Sequence, residues 1–219
     1  LGSLATNIAH EIRNPLAAIS HASELLAEDD RNGVRQRLAR IIHDNTLRLN
    51  RLVTEVLEVG RRNQTSPEMI DWSEFMHGFM EEIGLHDATA TSRIRVTEAE
   101  GLKVWFDRGH LHRVLWNLLI NALRHASAAE GAICLSIKSI GANSIELHIG
   151  DDGCGIEESL RTQVFEPFFT THGAGTGLGL YIARELCEAN KARLELLPTG
   201  LPNGFGAHFR MTVEGKVCL

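Results

Sequence analysis

Apolar residues recur at alternating steps of four and three along the first part of the chain, the pattern of a helix that packs against a partner helix. The first row of apolar positions is Leu1, Ala5, Ile8, Ile12, Pro15, Ile19, Ala22 and Leu26. A polar segment at 28–33 interrupts the pattern, as is typical of a helix-to-helix turn. The second row is Leu38, Ile42, Asn45, Leu49, Leu52, Val56 and Val59. Residues 1–62 are therefore predicted to form a helical hairpin.

A hairpin with two such rows buries little apolar area by itself. We therefore expect two copies of the chain to pair as a homodimer and to complete a four-helix bundle. Asn45 occupies an apolar position of the second row, where a polar residue fixes the register and lowers stability. A single hairpin that docks on the rest of the chain is the alternative.

A polar stretch that ends in Pro67 follows the hairpin, and residues 63–70 are predicted to be a linker. Residues 71–219 then carry both helical and strand patterns, which predicts a second domain of the α/β kind. Ser73 is expected to cap the first helix of this domain, which contains Phe75 and Ile83.

Alternation of apolar and polar residues predicts the strands of the second domain. The strand patterns lie at 93–97, 103–106, 133–137, 145–149, 193–197 and 208–213. Helical spacing predicts a long helix after Asp107 and another after a glycine-rich stretch at 173–179.

Composition narrows the possible partners and the location. The formal net charge of −6 argues against sequence-independent binding of nucleic acid, which needs a basic face. No apolar run approaches the ~20 residues of a membrane-spanning helix, and no signal peptide is visible. Because the chain starts inside a helical pattern, we expect a cytoplasmic fragment of a longer protein, with any inner-membrane anchor in segments outside this chain.

The cysteines and histidines do not indicate a metal site. The 11 histidines are scattered. The cysteines share no metal-ligand spacing and are expected to be reduced thiols. They are Cys134, Cys154, Cys187 and Cys218.

The run from His10 to Leu16 carries the first candidate chemistry. If Ile12 and Pro15 face the partner helix, His10 and Asn14 fall on the opposite face, one turn apart. An exposed, neutral imidazole is suited to nucleophilic attack near pH 7, and the neighbouring Glu11 can accept its proton. A surface His beside a surface Glu on an amphipathic helix would look the same.

The run from Asn117 to His125 is the second candidate. Asn117 and Asn121 share one helix face, and amide oxygens are hard ligands suited to Mg²⁺. Arg124 and His125 follow on the same helix and can reach phosphate oxygens. A solvated polar face is the alternative, although asparagine is a poor helix former.

Two glycine-rich runs complete the candidates. The run 151–156 follows a predicted strand, where glycines let the backbone approach a flat ligand and a carboxylate can accept a hydrogen bond from an exocyclic amine. The run 173–180 opens a helix, where backbone amides can bind an anion. Each run alone is a weak signal, because glycine-rich turns are common.

The order of these runs is specific, and through them the chain resembles the two-component sensor histidine kinases over nearly its whole length. His10 to Leu16 is similar to the H-box of that family, and Asn117 to His125 to its N-box. The runs 151–156 and 173–180 are similar to its two glycine boxes, and 165–169 to its F-box. The residues of the H-box and of the run 19–26 resemble the nitrogen-regulation-like branch, including the sensor kinases that control type IV pilus genes.

The resemblance implies a dimeric helical bundle followed by an α/β sandwich with a mixed sheet, of the gyrase, Hsp90 and histidine kinase type, joined by a linker that permits large domain motion. It implies ATP and Mg²⁺ as cofactors and a response regulator receiver domain as partner. His10 would accept the phosphoryl group, Glu11 would be its general base, and Asn14 would orient water to dephosphorylate the partner. Asn121 would bind Mg²⁺.

The resemblance also implies a set of nucleotide-binding positions. Asn117 would support Asn121, Arg124 and His125 would contact the phosphates, and Asp151 would bind adenine. The positions that would shape the pocket and its lid are Gly153, Gly155, Gly175, Thr176, Gly177, Leu178 and Gly179. The family often has Gly-Thr near the last strand, where the Thr helps to hold adenine through water. This chain has Gly206 and Ala207 there, so the resemblance does not carry over that contact.

Two other functions compete with kinase activity. An ATP hydrolase of the gyrase or Hsp90 kind would carry a carboxylate in place of Asn117 and would lack the helix of His10. A degenerate module that only docks its partner would not need every chemical position filled, as they are here.

Overall fold

The computed structural model describes residues 2–28, 32–61, 64–97, 101–171, 175–198 and 204–217. They divide into two compact units. The helical unit contains Leu1–Arg61 together with Pro167–Leu178, and the sheet unit contains Arg62–Glu166 and Gly179–Leu219. Segment 167–178 therefore groups by its contacts with the helical unit, whereas the domain limits of 1–62 and 71–219 stay a prediction.

The helical unit contains the predicted hairpin. Helix α1 spans Gly2–Glu28 and helix α2 spans Asn32–Arg61, while the turn at 29–31 lies outside the described residues. Among the residues whose side chains are described, the apolar rows lie on the inner side of the hairpin. The buried members are Pro15, Ala22, Leu38 and Leu52.

A further set of large apolar side chains stays exposed on the hairpin. The set consists of Leu16, Leu25, Leu47, Val53 and Leu57. Contacts within the hairpin therefore leave these apolar side chains uncovered. Among the helices in the described part of the chain, none combines enough length with enough apolar residues to cross a membrane.

The sheet unit is built on one mixed sheet, which the described residues form from seven strands. The strands are β1 (Glu68–Asp71), β2 (Ile94–Val96), β3 (Leu102–Phe106), β4 (Ile133–Ser139), β5 (Ser144–Asp151), β6 (Arg193–Leu196) and β7 (His208–Val217). Their order is β1-β3-β7-β5-β4-β2, and β6 pairs with β7 beside β3. Only the described pair of β2 with β4 is parallel.

Helices cover one face of the sheet. They are α3 (Trp72–His86), α4 (Ala90–Arg93), α5 (Arg108–His125) and α6 (Gly179–Ala189), with a short 3₁₀ turn at Glu158–Leu160. The apolar stripe of α5 packs on the inward-facing residues of the strands, and Leu111, Leu115, Leu119, Ile133 and Ile145 are fully buried there. The predicted α/β sandwich after a helical hairpin is thus confirmed.

One local prediction for the start of the sheet unit is wrong, that of the helix cap. Helix α3 is capped by Asp71, whose Oδ1 accepts from the N–H of Glu74 at 3.2 Å, and not by Ser73. Strand β1 also begins at Glu68, inside the segment assigned to the linker. Pairing of β1 with β3 keeps the chain extended up to Asp71, so the helix begins only at Trp72.

The described cysteines are free thiols. Cys134, Cys154 and Cys187 form no disulfide, and Cys218 lies outside the described residues. Burial raises the pKa of the Cys187 thiol, so it stays protonated at neutral pH.

Candidate functional site

The first candidate residues lie on α1 of the helical unit. His10 and Asn14 are exposed, as their spacing predicts, whereas Glu11 is half-buried. Oε2 of Glu11 accepts from Nη2 of Arg48 on α2 at 3.1 Å. This ion pair holds the Glu11 carboxylate against α2, one residue along the helix from the exposed His10. Pro15 has no N–H to donate to the Glu11 carbonyl, so α1 lacks one helix hydrogen bond just after His10.

The second group of candidates lies on α5, which begins after Asp107. The Asp107 side chain caps the helix by accepting from the N–H of His110 at 2.9 Å. Asn117 and Asn121 are half-buried one turn apart, and Arg124 and His125 are exposed at the end of the helix. This face of α5 therefore presents two amides followed by two basic groups.

Asn117 contains an unsatisfied donor. Its Nδ2 is buried and has no hydrogen-bond partner among the described residues. Its Oδ1 lies 3.4 Å from the position of a Cβ built on Gly179, the first residue of α6. A buried donor without a partner is rare in folded proteins, and a ligand oxygen would satisfy it. The amide face of α5 thus fits a phosphate-bearing ligand with an oxygen-preferring cation such as Mg²⁺.

Asp151 ends β5 as a buried carboxylate with 2% of its surface exposed. Burial raises the pKa of Asp151, while backbone hydrogen bonds with Gly153 and Ala207 act in the opposite direction. The Gly153 N–H donates to Oδ1 at 2.9 Å. A buried carboxylate with a raised pKa is characteristic of functional sites and fits a ligand that donates a hydrogen bond.

Glycines let three backbone segments meet around Asp151. A Cβ built on Gly206 would lie 1.9 Å from the Gly153 carbonyl oxygen. A Cβ built on Gly153 would lie 2.6 Å from the carbonyl oxygen of His125. The first glycine box, the residues just before β7 and the end of α5 are therefore in direct backbone contact. Gly155 adds a turn at a φ of 78°, which only glycine adopts readily.

The second glycine box lies mostly in the helical unit, and its first residue, Gly173, is outside the described residues. The N–H of Phe168 donates to the Gly177 carbonyl at 3.0 Å, which joins the F-box to this box. Gly177 has a φ of 71°, and a Cβ there would lie 2.4 Å from the Phe168 backbone. Gly175, Thr176 and Leu178 flank Gly177 in this segment.

The structure thus collects the α5 face, Asp151, Gly153, Gly155 and Gly179 in the sheet unit, and His10, Glu11 and Asn14 in the helical unit. Sequence reasoning missed Arg48 as the partner of Glu11. The sequence could have predicted this pair. Glu11 and Arg48 lie at nearly equal distances from the predicted turn, and an antiparallel hairpin brings such side chains together.

Comparison with known proteins gives two family matches. A model of the histidine kinase-, DNA gyrase B- and HSP90-like ATPase family matches residues 106–216. A model of the His Kinase A (phospho-acceptor) domain matches residues 1–65.

The sensor protein kinase PilS of Pseudomonas aeruginosa is 39% identical over 199 residues, which cover 89% of this chain and 38% of PilS. The signal transduction histidine-protein kinase AtoS of Escherichia coli is 31% identical over 217 residues, which cover 96% of this chain and 34% of AtoS. This chain therefore spans well under half the length of these relatives.

A crystal structure of histidine kinase ThkA in complex with the response regulator protein TrrA is similar in fold. The TM-score is 0.77 at 24% identity, and the match covers 98% of this chain and 61% of the ThkA chain.

We expect Asp151→Asn to weaken ATP more than purine riboside triphosphate, which lacks the exocyclic amine. The substitution keeps the size of the side chain but replaces an acceptor oxygen by an amide, and a hydrogen bond to a charged group is worth about tenfold or more in affinity. Titration calorimetry with both nucleotides measures the effect. Equal losses for the two nucleotides would show that Asp151 does not bind the amine.

Proposed function

The chain belongs to the two-component sensor histidine kinases, and from that premise we propose that it transfers the γ-phosphoryl group of ATP to His10 and then to an aspartate of a response regulator. The observation that carries this proposal is the combination of an exposed histidine on a helical hairpin with a buried carboxylate beside glycine-rich backbone in a separate sheet unit. The two family matches on the corresponding parts of the chain support it.

We assign nucleotide binding to the sheet unit. The Asp151 carboxylate accepts a hydrogen bond from the exocyclic amine of adenine, which offsets the penalty of its burial. Asn121, supported by Asn117, holds Mg²⁺ through amide oxygens. When bound, Mg²⁺ neutralises charge on the phosphates. Arg124 and His125 extend the same helix face and contact phosphate oxygens.

Within the sheet unit, Gly153 and Gly155 of the first box and Gly179 of the second let backbone approach the nucleotide. For Gly175, Thr176, Gly177 and Leu178, a part in shaping the pocket stays what the resemblance implies. The Gly206–Ala207 pair lacks the hydroxyl group that family members often have. We propose that the backbone of Ala207, which accepts from the N–H of Asp151 at 3.0 Å, still aligns the carboxylate.

In the helical unit, a neutral imidazole nitrogen of His10 attacks the γ-phosphorus and ADP leaves. The Glu11 carboxylate accepts the proton released from the ring. Arg48 holds the Glu11 side chain in place through the 3.1 Å ion pair. The general base is therefore positioned before the reaction begins. The phosphohistidine stays exposed on α1, where a receiver domain can reach it.

We propose that the same helix face also dephosphorylates the receiver. Asn14 is exposed one turn from His10, and a neutral amide can hold a water in line with an aspartyl phosphate without acting as a nucleophile. The likeness in fold to a kinase solved with a response regulator supports this class of partner.

We further propose that the hairpin dimerises into a four-helix bundle, which would cover exposed apolar residues such as Leu57. ATP and receiver domains are cytoplasmic, so we place this part of the protein in the cytoplasm.

His10→Ala and His10→Gln should abolish phosphate incorporation from γ-labelled ATP and leave ATP affinity within about twofold, because His10 lies outside the sheet unit. The wild-type product should be labile to acid and stable to alkali. His21→Gln is the matched control, since His21 is also exposed on α1, and it should retain activity. Labelling that persists in either His10 variant would reject the assignment.

Asn14→Ala should lengthen the half-life of the phosphorylated receiver in the presence of ADP by about tenfold or more, while autophosphorylation is largely kept. Asn50→Ala, at an exposed asparagine of α2, is the control and should behave as wild type. If Asn14 only weakens the helix, the half-life stays unchanged and alanine leaves thermal stability equal or higher.

Leu57→Asp should convert the dimer to monomers in light scattering. Leu57 is 56% exposed on the hairpin, so the charge is tolerated in a monomer, but it would be buried without a partner in the bundle. Leu85→Asp is the control, because Leu85 is 90% exposed on α3 of the sheet unit. A stable Leu57→Asp dimer would place the interface on another surface.

A further inference from the structure

Ser127, which follows the end of α5, is held by one carboxylate. The Ser127 N–H donates to Oδ1 of Asp152 at 2.8 Å, and its hydroxyl donates to Oδ2 at 2.6 Å. Asp152 belongs to the first glycine box, directly after Asp151. Both oxygens of the carboxylate therefore join the glycine box to the segment after α5.

Arg93 holds the same segment from another element. It ends α4, and its Nη2 donates to the carbonyl oxygens of Leu123 at 2.9 Å and Ala126 at 3.1 Å. Its Nε donates to the Ser127 carbonyl at 3.1 Å. The last carbonyls of a helix lack partners within the helix, and a positive charge there is favourable. Arg93 thus fixes the end of α5.

The backbone between these groups is closely packed. The 2.6 Å approach that a Cβ on Gly153 would make to the His125 carbonyl means that the glycine box rests on the last turn of α5. The N–H of Asp152 also donates to the Ala132 carbonyl at 3.0 Å. We call Arg93, Ser127 and Asp152 the α5 brace, because together they fix the end of α5 against the glycine box.

We propose that the α5 brace positions the two ends of the nucleotide site relative to each other, so that Asp151 and the basic end of α5 can bind one ATP molecule at the same time. This inference rests on the proposed function. Arg124 and His125 lie immediately before the braced segment, and Asp151 lies immediately before Asp152. A ligand that uses both ends gains from fixed spacing, because less conformational freedom is lost on binding.

The chemistry of Asp152 agrees with this role. Hydrogen bonds from the hydroxyl and the N–H of Ser127 lower the pKa of Asp152, so the carboxylate is ionised across the neutral range. Asp152 is exposed and does not belong to the apolar core, so its removal should loosen the spacing without unfolding the sheet unit.

The test uses the whole chain and compares ATP with adenosine, which lacks phosphates. Asp152→Ala should raise the Kd and the KM for ATP about tenfold, leave the Kd of adenosine within about twofold and leave kcat at saturating ATP unchanged. Asp152→Asn should restore most of the ATP affinity, because an amide oxygen still accepts from the Ser127 N–H. Thermal melting checks that each variant is folded.

Asp87→Ala is the matched control. Asp87 is also an exposed aspartate that accepts from an N–H and a hydroxyl, both of Thr89, at 2.9 and 2.7 Å. Its hydrogen bonds stay within one loop and join no two parts of the site, so ATP affinity should not change. In addition, Ser127→Ala combined with Asp152→Ala should weaken ATP no more than Asp152→Ala alone.

Unchanged ATP affinity in Asp152→Ala, or equal losses for ATP and adenosine, would overturn the role of the brace and leave the proposed function in place. A wild-type chain that binds ATP but is not labelled on His10 would contradict the proposed function alone. A wild-type chain that binds no ATP would contradict both.

Discussion

The candidate nucleotide site depends on backbone packed directly against backbone. Gly206 lies so close to the Gly153 carbonyl, and Gly153 so close to the His125 carbonyl, that a single Cβ at either glycine would overlap a neighbouring oxygen. This close approach buries Asp151 at the end of β5, beside the residues just before β7. The N–H of Gly206 donates to the Asp151 carbonyl at 2.7 Å, so the enclosure is also hydrogen-bonded. The glycines are required here for space more than for unusual torsion angles.

Burial of the Asp151 carboxyl group makes the stability of the fold depend on pH, and the proposed role of this residue explains why it is buried. The pKa of this carboxyl group is higher in the folded chain than in the unfolded chain, so its ionisation favours the unfolded state. Its contribution to stability is therefore present at acidic pH and is lost as pH rises through the raised pKa. A ligand that donates a hydrogen bond to the carboxylate would offset that loss. The buried Nδ2 of Asn117 is likewise a group that a ligand would stabilise. It is a donor without a partner among the described residues, so it needs a ligand atom that accepts a hydrogen bond.

The nucleophile is organised differently from the nucleotide site. His10 is exposed and stands on a helix, whereas Asp151 is buried and Asn117 and Asn121 are half-buried. A phosphoryl acceptor that meets two macromolecular partners in turn must stay accessible. The hairpin can therefore fix only residues next to His10 and not the ring itself. The Glu11–Arg48 ion pair does this with side chains that are about one-third exposed (28% and 33%), where solvent screens their attraction. We therefore interpret the pair as fixing position more than as adding stability.

Much of the architecture could be predicted from the sequence, because it depends on local periodicity. The steps of three and four predicted α1 and α2, and the helical spacing after Asp107 predicted α5 with its N-terminus in the right place. Alternation predicted β4 and β5, and the order of the short motifs indicated the family and the candidate residues, whose roles stay predictions. Strand β1 was not predicted at all, since only Ile70 of its residues is buried and pairing with β3 makes it a strand.

Tertiary structure alone decided the remaining features. The cap of α3 is Asp71 and not the predicted Ser73, because the strand before the helix ends at Asp71. Glu11 and Arg48 meet through the register of the hairpin, and Arg93, Ser127 and Asp152 meet although they are far apart in the chain. Periodicity reports which face of an element is buried, but it carries no information about which residue lies opposite. Those contacts arise only when long-range packing brings separate elements within hydrogen-bond distance.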